Sequence, residues 1–459
     1  MLEKLFQLKD HGTNVRTELL AGTTTFMTMA YIIFFQPALF AVTMGMDHGA
    51  VMMATCISAA VATLAMGLWA NYPIALAPGM GENFFFVSVV TTTAVALAGI
   101  KVTWQMALSA VFVSGVLFIL LTFLRIREMV INAIPRSIKH AIAAGIGAFI
   151  AFIGLKYCGI VEQNPDALVR LGNIRSPVAL LSIVGLLLIL LLMARRIKGA
   201  IVIGMILTVV IGALLGLKFT GLDGRLHAVV AYEGVASLKP PAMSPTFFKL
   251  DWAAIIRWEM IPVIILFLFM DMLDTVGTLV GVSERAGLMK EGELPRANRA
   301  FLSDAIGTSV GAVLGTSTVT SYIESVAGVN EGGRTGLSSV ATAFLFLAAM
   351  FFYPLVKTIG GGCQIAPTVT LYPVIGPALI VVGALMMRSV AKIEWDDFSE
   401  AVPAFLIFLG IPLTYSIADG FAFGFISYPI LKLFSGKARQ VNWLLYLLAA
   451  LFVLRYALL

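Results

Sequence analysis

Charge is what this chain of 459 residues has least of. Only 12% of it is Asp, Glu, Lys or Arg, about half the share of a soluble domain. With 59% hydrophobic residues, a water-soluble fold is excluded and a polytopic protein of the lipid bilayer is implied. The basic residues gather into no single face and instead flank apolar runs, so nucleic acid is not an expected partner. Cysteine is scarce as well. Cys56, Cys158 and Cys363 lie far apart, in or beside apolar segments, which speaks against a disulfide framework and against a metal site. The four histidines, His11, His48, His140 and His227, fall at or beyond the ends of apolar runs, so no histidine relay through a membrane is suggested. There is no Walker lysine pattern and no GxGxxG between strand and helix, so no cofactor is expected. No nucleophile–base pair and no soluble domain point to an enzyme. The stretch 1–16 lacks the apolar core and cleavage site of a signal peptide.

What is present is a succession of apolar runs of membrane length. A crossing helix needs about 20 apolar residues. Such segments fall near 17–42, 47–70, 73–92, 102–124, 136–160, 177–194 and 199–218, then near 258–282, 297–314, 317–330, 334–357, 365–388, 399–415 and 416–434, which makes 14. The intervening 219–257 is too polar to cross and reads as an extracellular connection. The tail 436–459 ends in a short apolar helix that is not counted as a crossing. About twice as many Lys and Arg, among them Arg125, Arg127, Arg195, Arg196, Lys198, Lys290 and Arg334, fall on one side as on the other. That asymmetry implies cytoplasmic N- and C-termini.

Two segments are abnormal. The third carries Ala-Pro-Gly-Met-Gly-Glu-Asn at 77–83, and the tenth runs through Gly-Thr-Ser-Thr-Val-Thr-Ser-Tyr-Ile-Glu from Gly315. Neither can face lipid, because their backbone and hydroxyl groups would be unsatisfied there. They hold the same place, third of seven, in the two halves, 1–218 and 258–435. Interrupted segments in corresponding positions of inverted repeats mark a transporter's binding site. A second sign of repetition is Gly147 and Gly154 against Gly376 and Gly383, both pairs offset by half the chain.

The acids inside apolar segments are Glu82, Asp271, Asp274, Asp304, Glu324 and Asp419. Each is costly there and therefore a functional candidate. Asp271 and Asp274, three apart, share a helix face, and two close carboxylates favour a proton on one of them. Glu324 follows a hydroxyl-rich turn that includes Thr318 and Thr320, beside Tyr322, and can accept hydrogen bonds from ring N–H groups. Asn83 offers donor and acceptor together, behind Gly79 and Gly81, which permit close backbone approach. Phe84 can stack on an aromatic ligand. Asp304 fits a role one helix behind the site. Asp419, in an Asp-Gly pair, reads as a turn between segments. Thr23, Thr24, Thr25 and Thr28 form a polar stripe on the first segment, either facing the site or bonding back to their own helix.

These motifs resemble the AzgA-like purine permeases, a branch of the nucleobase–cation symporter-2 (nucleobase–ascorbate transporter) family. The likeness rests on Thr-Glu-Leu-Leu-Ala-Gly-Thr-Thr-Thr-Phe-Met-Thr-Met-Ala-Tyr from Thr17, Ala-Pro-Gly-Met-Gly-Glu-Asn, Leu-Asp-Thr-Val-Gly-Thr-Leu, and Tyr-Ile-Glu-Ser-Val-Ala-Gly with Gly-Gly-Arg-Thr-Gly-Leu. It implies an all-α fold of two inverted seven-helix repeats, with short strands in segments 3 and 10 and a core and a gate domain. It further implies a homodimer in the cytoplasmic membrane that carries a purine nucleobase with a proton by an elevator-like movement. Asp274, Glu324 and Asn83 map to the base-binding positions, and Asp271 and Asp304 to positions where related permeases carry acids important for transport. The branch often has a neutral residue where this chain has Glu82.

Overall fold

A computed structural model describes residues 2–91, 101–124, 134–164, 166, 168–289, 294–367 and 369–458; Arg125, Arg127 and Lys290 lie outside these. The chain opens with α1 (Leu2–Phe6), α2 (Val15–Met29) and α3 (Tyr31–Met44). Only Ala30 parts α2 from α3, and its backbone is still helical. Next, α4 (His48–Ala65) starts on the Asp47 carboxylate, which accepts from Ala50 N, and ends in a π turn, Met66–Ala70. Strand β1 (Leu76–Pro78) and α5 (Met80–Thr91) form the first interruption. Then come α6 (Trp104–Phe123), α7 (Arg136–Tyr157), the hairpin β2 (Val161–Asn164) and β3 (Leu168–Leu171), α8 (Pro177–Ala194) and α9 (Ala200–Leu214). The polar connection contains a second hairpin, β4 (Lys218–Thr220) and β5 (Leu226–Ala228), and the single turn α10 (Trp252–Ile255).

In the second half, α11 (Ile261–Arg285) and α12 (Ala297–Leu314) lead into β6 (Val319–Ser321) and α13 (Ser325–Asn330). They are followed by α14 (Gly336–Ala349), α15 (Tyr353–Gly360) and the hairpin β7 (Cys363–Ala366) and β8 (Val369–Leu371). Last are α16 (Ile375–Met386), α17 (Phe398–Thr414), α18 (Ile417–Phe434) and α19 (Trp443–Leu458). Among the described residues, nine helical segments are long and apolar enough to cross a membrane, and three apolar helices are shorter. The protein is a multi-pass, largely helical membrane protein, and short strands stand in the third and tenth segments. Asp419 is a correction: it lies in the first turn of α18, capped by Ser416, so the turn falls four residues earlier, at Tyr415 with its φ of 56°. The Ser416 hydroxyl accepts from Asp419 N, which lets the helix begin before the Asp-Gly pair.

The helices sort into two packing groups. In one, α2 and α4 pack on α14, α4 and α6 on α12, and α6 on α11. In the other, α7 packs on α16 and α17, α17 on α18, and α8 on α9. The glycines that hinted at a repeat explain the second group. A Cβ on Gly147 would lie 2.8 Å from the Gly383 carbonyl, and one on Gly154 would lie 2.8 Å from that of Gly376. The two helices therefore run antiparallel with their backbones in contact, as small residues allow in lipid.

The first group is tied at one end by an acid that composition did not single out. The buried Glu18 carboxylate accepts from Arg334 N at 2.8 Å and from Thr335 N and Ser338 N at 3.2 Å each. It thus caps the start of α14 from α2. Beside it, Asn71 accepts from Gly336 N and donates to Phe6 O, and Phe6 and Leu8 pack on Leu337. The Arg334 side chain closes the end of α13 by donating to Val329 O and Gly333 O.

Candidate functional site

Strands β1 and β6 meet antiparallel in the middle of the first group, with Leu76 opposite Ser321, Ala77 opposite Thr320 and Pro78 opposite Val319. The first segment breaks there because Pro78 has no N–H to give and Gly79 disfavours a helix, and the second leaves its helix at Gly315, whose φ is 105°. Inside hydrocarbon the freed backbone groups need partners, and the two strands supply each other's. The pairing continues at both ends: Gly79 N donates to Thr318 O at 3.1 Å and Tyr322 N to Ala75 O at 2.9 Å. The Tyr322 hydroxyl donates to Pro78 O at 2.6 Å. From this crossing α5 and α13 lead away, their N-termini close to the strands.

The predicted residues collect around the crossing, in different environments. Asn83 is fully buried; its Oδ1 accepts from Ser317 Oγ at 2.5 Å, while its Nδ2 has no partner among the described residues. The buried Thr318 hydroxyl is also without one. Thr320 shares a 2.8 Å hydrogen bond with Thr275, and Thr275 donates to Asp304 Oδ1 at 2.7 Å. The Glu324 carboxylate accepts from Tyr31 OH at 2.7 Å. Gly81 lies against Ile146 of α7, which leaves its own backbone accessible only at close range. In the Thr stripe, Thr23 bonds back to Leu19 O, whereas Thr28 bonds back and also reaches Glu324 O at 3.4 Å.

Asp271 and Asp274 turn to different surroundings. Asp271 is buried and accepts from Thr308 Oγ1 at 2.9 Å, facing α12, whereas Asp274 lies on the exposed side of α11. The near neighbour of Asp271 is Asp304. Their second oxygens, Asp271 Oδ1 and Asp304 Oδ2, are buried with no other donor among the described residues. The 60° offset between positions three apart on a helix turns one acid inward and the other toward the open side.

That open side is marked by Asp274 and Gly277 on α11, by Ile323, which is 52% exposed, and by the half-buried Glu324. The other side is closed by rings. Phe84 lies between Phe35, at 5.5 Å, and Phe149, at 5.7 Å, and Phe149 meets Tyr415 edge-on at 5.0 Å. Phe84 therefore already has aromatic neighbours. Among the described residues, no Lys, Arg or His pairs with Glu82, Asp271, Asp274, Asp304 or Glu324. No group of His, Cys, Asp and Glu suited to a metal ion is found among them either.

Several groups around the crossing were not singled out from the sequence: Tyr31, Thr275, Thr308 and Gln36. Gln36 bridges Thr55 and Thr316. Two of them carried a usable signal. Thr275 directly follows Asp274, and Thr308 stands one helical turn after Asp304.

Comparison with known proteins agrees with this architecture. The Permease family model matches residues 16–423. The chain is 43% identical to the guanine/hypoxanthine permease PbuG of Bacillus subtilis, over 99% of each chain. It is 41% identical to the adenine permease AdeQ of Escherichia coli, over 99% of this chain and 96% of that one. Among solved structures, the transmembrane domain of the cyanobacterial bicarbonate transporter BicA shares the fold with a TM-score of 0.61 at 15% identity, over 88% of this chain and 96% of that one. With a matching model over most of its length and relatives aligned end to end, the chain belongs to the Permease family, within the AzgA-like branch that its motifs resemble.

Proposed function

We propose that this permease is a proton-coupled importer of purine nucleobases (adenine, guanine or hypoxanthine). It works in the cytoplasmic membrane with both termini inside, by an elevator-like exchange between open states. The observation that carries this reading is the crossing of β1 and β6, with Asp274 and Glu324 on its accessible side and no cation among the acids. The names of the relatives support the substrate class. A purine presents ring N–H groups, ring nitrogens and, in some members, a carbonyl. Glu324 and Asp274 would accept from the N–H groups. Asn83 Nδ2 and Thr318 Oγ1 are the donors left over for ring acceptors; Thr320 donates to Thr275 and supports the site from behind, as do Gly79, Gly81 and Phe84, which lie under the Glu82 carboxyl, Ile146, and Phe35 with Phe149. The oxygens of Asp271 and Asp304 that lack a donor would be satisfied by a shared proton. In this reading Asp271, Asp274, Asp304 and Glu324 carry the coupling.

The architecture that goes with it has 14 crossings, in repeats 1–218 and 258–435. An extracellular connection, 219–257, joins them, a short tail follows, and the working unit is a homodimer. The two packing groups would be the core and gate domains, sliding past each other. Carriage of a small anion is disfavoured, because five uncompensated acids would repel it. The test is uptake of radiolabelled purine by cells expressing Glu324→Ala. Uptake is expected to vanish, and undiminished uptake would sink the reading.

A further inference from the structure

Glu82 has no part in the scheme above, yet its place is a built one. It lies in the first turn of α5 and is 2% exposed. Its carboxyl folds back over Gly79, where a Cβ would overlap Oε2 and stand 2.7 Å from Thr320 Cγ2. The position is thus open to the carboxyl only because residue 79 is glycine. A glutamate reaching back to the start of its own helix is held by first-turn N–H groups. Next to it stands the methyl of Thr320, whose hydroxyl faces the other way. Thr320 touches Gly79, shares a hydrogen bond with Thr275, and Thr275 donates to Asp304. Beyond lie the oxygens of Asp304 and Asp271 that lack a donor. Directly across from Gly79, Thr318 takes the Gly79 N–H on its carbonyl. Its fully buried, unpartnered hydroxyl lies two residues from Thr320, on the same side of the extended chain. Among the described residues, the titratable groups that face Glu82 are Asp271 and Asp274 from α11, Asp304 from α12 and Tyr322 after β6, while Ile146 of α7 lies against the neighbouring Gly81.

We propose that Glu82 is a second coupling carboxyl: it takes up a proton when a base binds and the site closes, separately from the proton shared by Asp271 and Asp304. Glu82 is already enclosed; closing the site brings Asp274 and the base-bound Glu324 out of water beside it, and like charges so confined cannot all stay ionised. Thr320 and Thr275 stand between Glu82 and Asp304 and keep the two proton sites apart. Each base then crosses with one proton more than the Asp271–Asp304 pair supplies. This rests on the purine-symport reading.

The test is calorimetric titration of hypoxanthine into the purified full-length protein, in buffers of different ionisation enthalpy, to count protons taken up per base. Glu82→Gln is expected to bind hypoxanthine with one proton fewer than wild type, and Glu82→Asp to restore the count. In liposomes with a pH difference of about one unit, losing one proton lowers equilibrium accumulation about tenfold, while counterflow of base against base persists. An unchanged proton count in Glu82→Gln overturns the proposal and leaves symport standing. So does a Glu82→Gln protein that no longer binds hypoxanthine, since Glu82 would then hold the base or the fold. A wild-type protein that binds no purine overturns the symport reading and this proposal with it.

Discussion

At β1 and β6 the halves of the chain meet through three residues each, inside a shell of hydroxyls and carboxyls. At α7 and α16 they meet through four glycines. Both pairs are antiparallel, and both join corresponding segments of the two halves. The helical pair satisfies every interior backbone group within its own helices, so it can close to backbone contact and leave nothing over. The strand pair has exchanged intrahelical hydrogen bonds for bonds across the crossing, and it retains spare capacity at Asn83 Nδ2 and Thr318 Oγ1. One junction is a wall and the other a candidate site. The difference lies in a few helix-breaking and polar residues.

Three changes would break or sharpen this contrast. The largest effect is expected from Gly383→Val. Its side chain would press on the Gly147 carbonyl and on Ala151, both on the facing helix. Overpacking of this kind costs about 3 kcal/mol, read as a fall in melting temperature in detergent. A variant as stable as wild type would mean that the glycines do not set the contact. Next comes Thr275→Val, close in volume but without the hydroxyl that donates to Asp304. Leaving that buried carboxyl short of a donor costs about 1–3 kcal/mol, and purine uptake should fall more steeply than the melting temperature. If stability and uptake fell together, the polar junction would be structural, like the glycine one.

The smallest effect is expected outside both junctions, at Asp397. Lys437 donates to its Oδ2 at 2.7 Å, and Ser399 donates to its Oδ1 through the hydroxyl at 2.7 Å and the backbone N at 2.9 Å. Lys437 first, then Ser399, hold this carboxyl well below the usual carboxylate range. The sign follows from the depression: the stabilisation is complete above the unfolded value, about 4, and is lost as the pH falls through and below it. Melting curves between about pH 6 and pH 3 should therefore show a slightly larger drop for wild type than for Asp397→Asn. Equal drops would remove the ion pair from the account of stability.

Much of the polar junction could be read from the residues alone. Ala77–Asn83 and Gly315–Glu324 announce themselves because glycine, proline and hydroxyls inside apolar runs violate a local rule of the bilayer. The acids stand out for the same reason. Their partners did not. Pairing Asp271 with Asp274 followed from spacing along one helix, but the folded chain turns Asp271 to Asp304 and Thr308 on another. Tyr31 meets Glu324 across 293 positions, and Glu18 caps a helix 316 positions away. No local pattern encodes such distances. The four glycines were visible as a repeat, but not as surfaces that face each other.

The sequence by itself determined that this chain lives in a bilayer, where its helices break, and which acids stand in hydrocarbon. Those are consequences of transfer cost, which each residue pays according to its own neighbours in the chain. Only the tertiary structure decided which acid is enclosed and which is accessible, which hydroxyl serves which carboxyl, and that Glu82 curls over Gly79 toward Thr320. These depend on how two antiparallel halves are laid across one another, and a rotation of one helix by a fraction of a turn would redistribute them all.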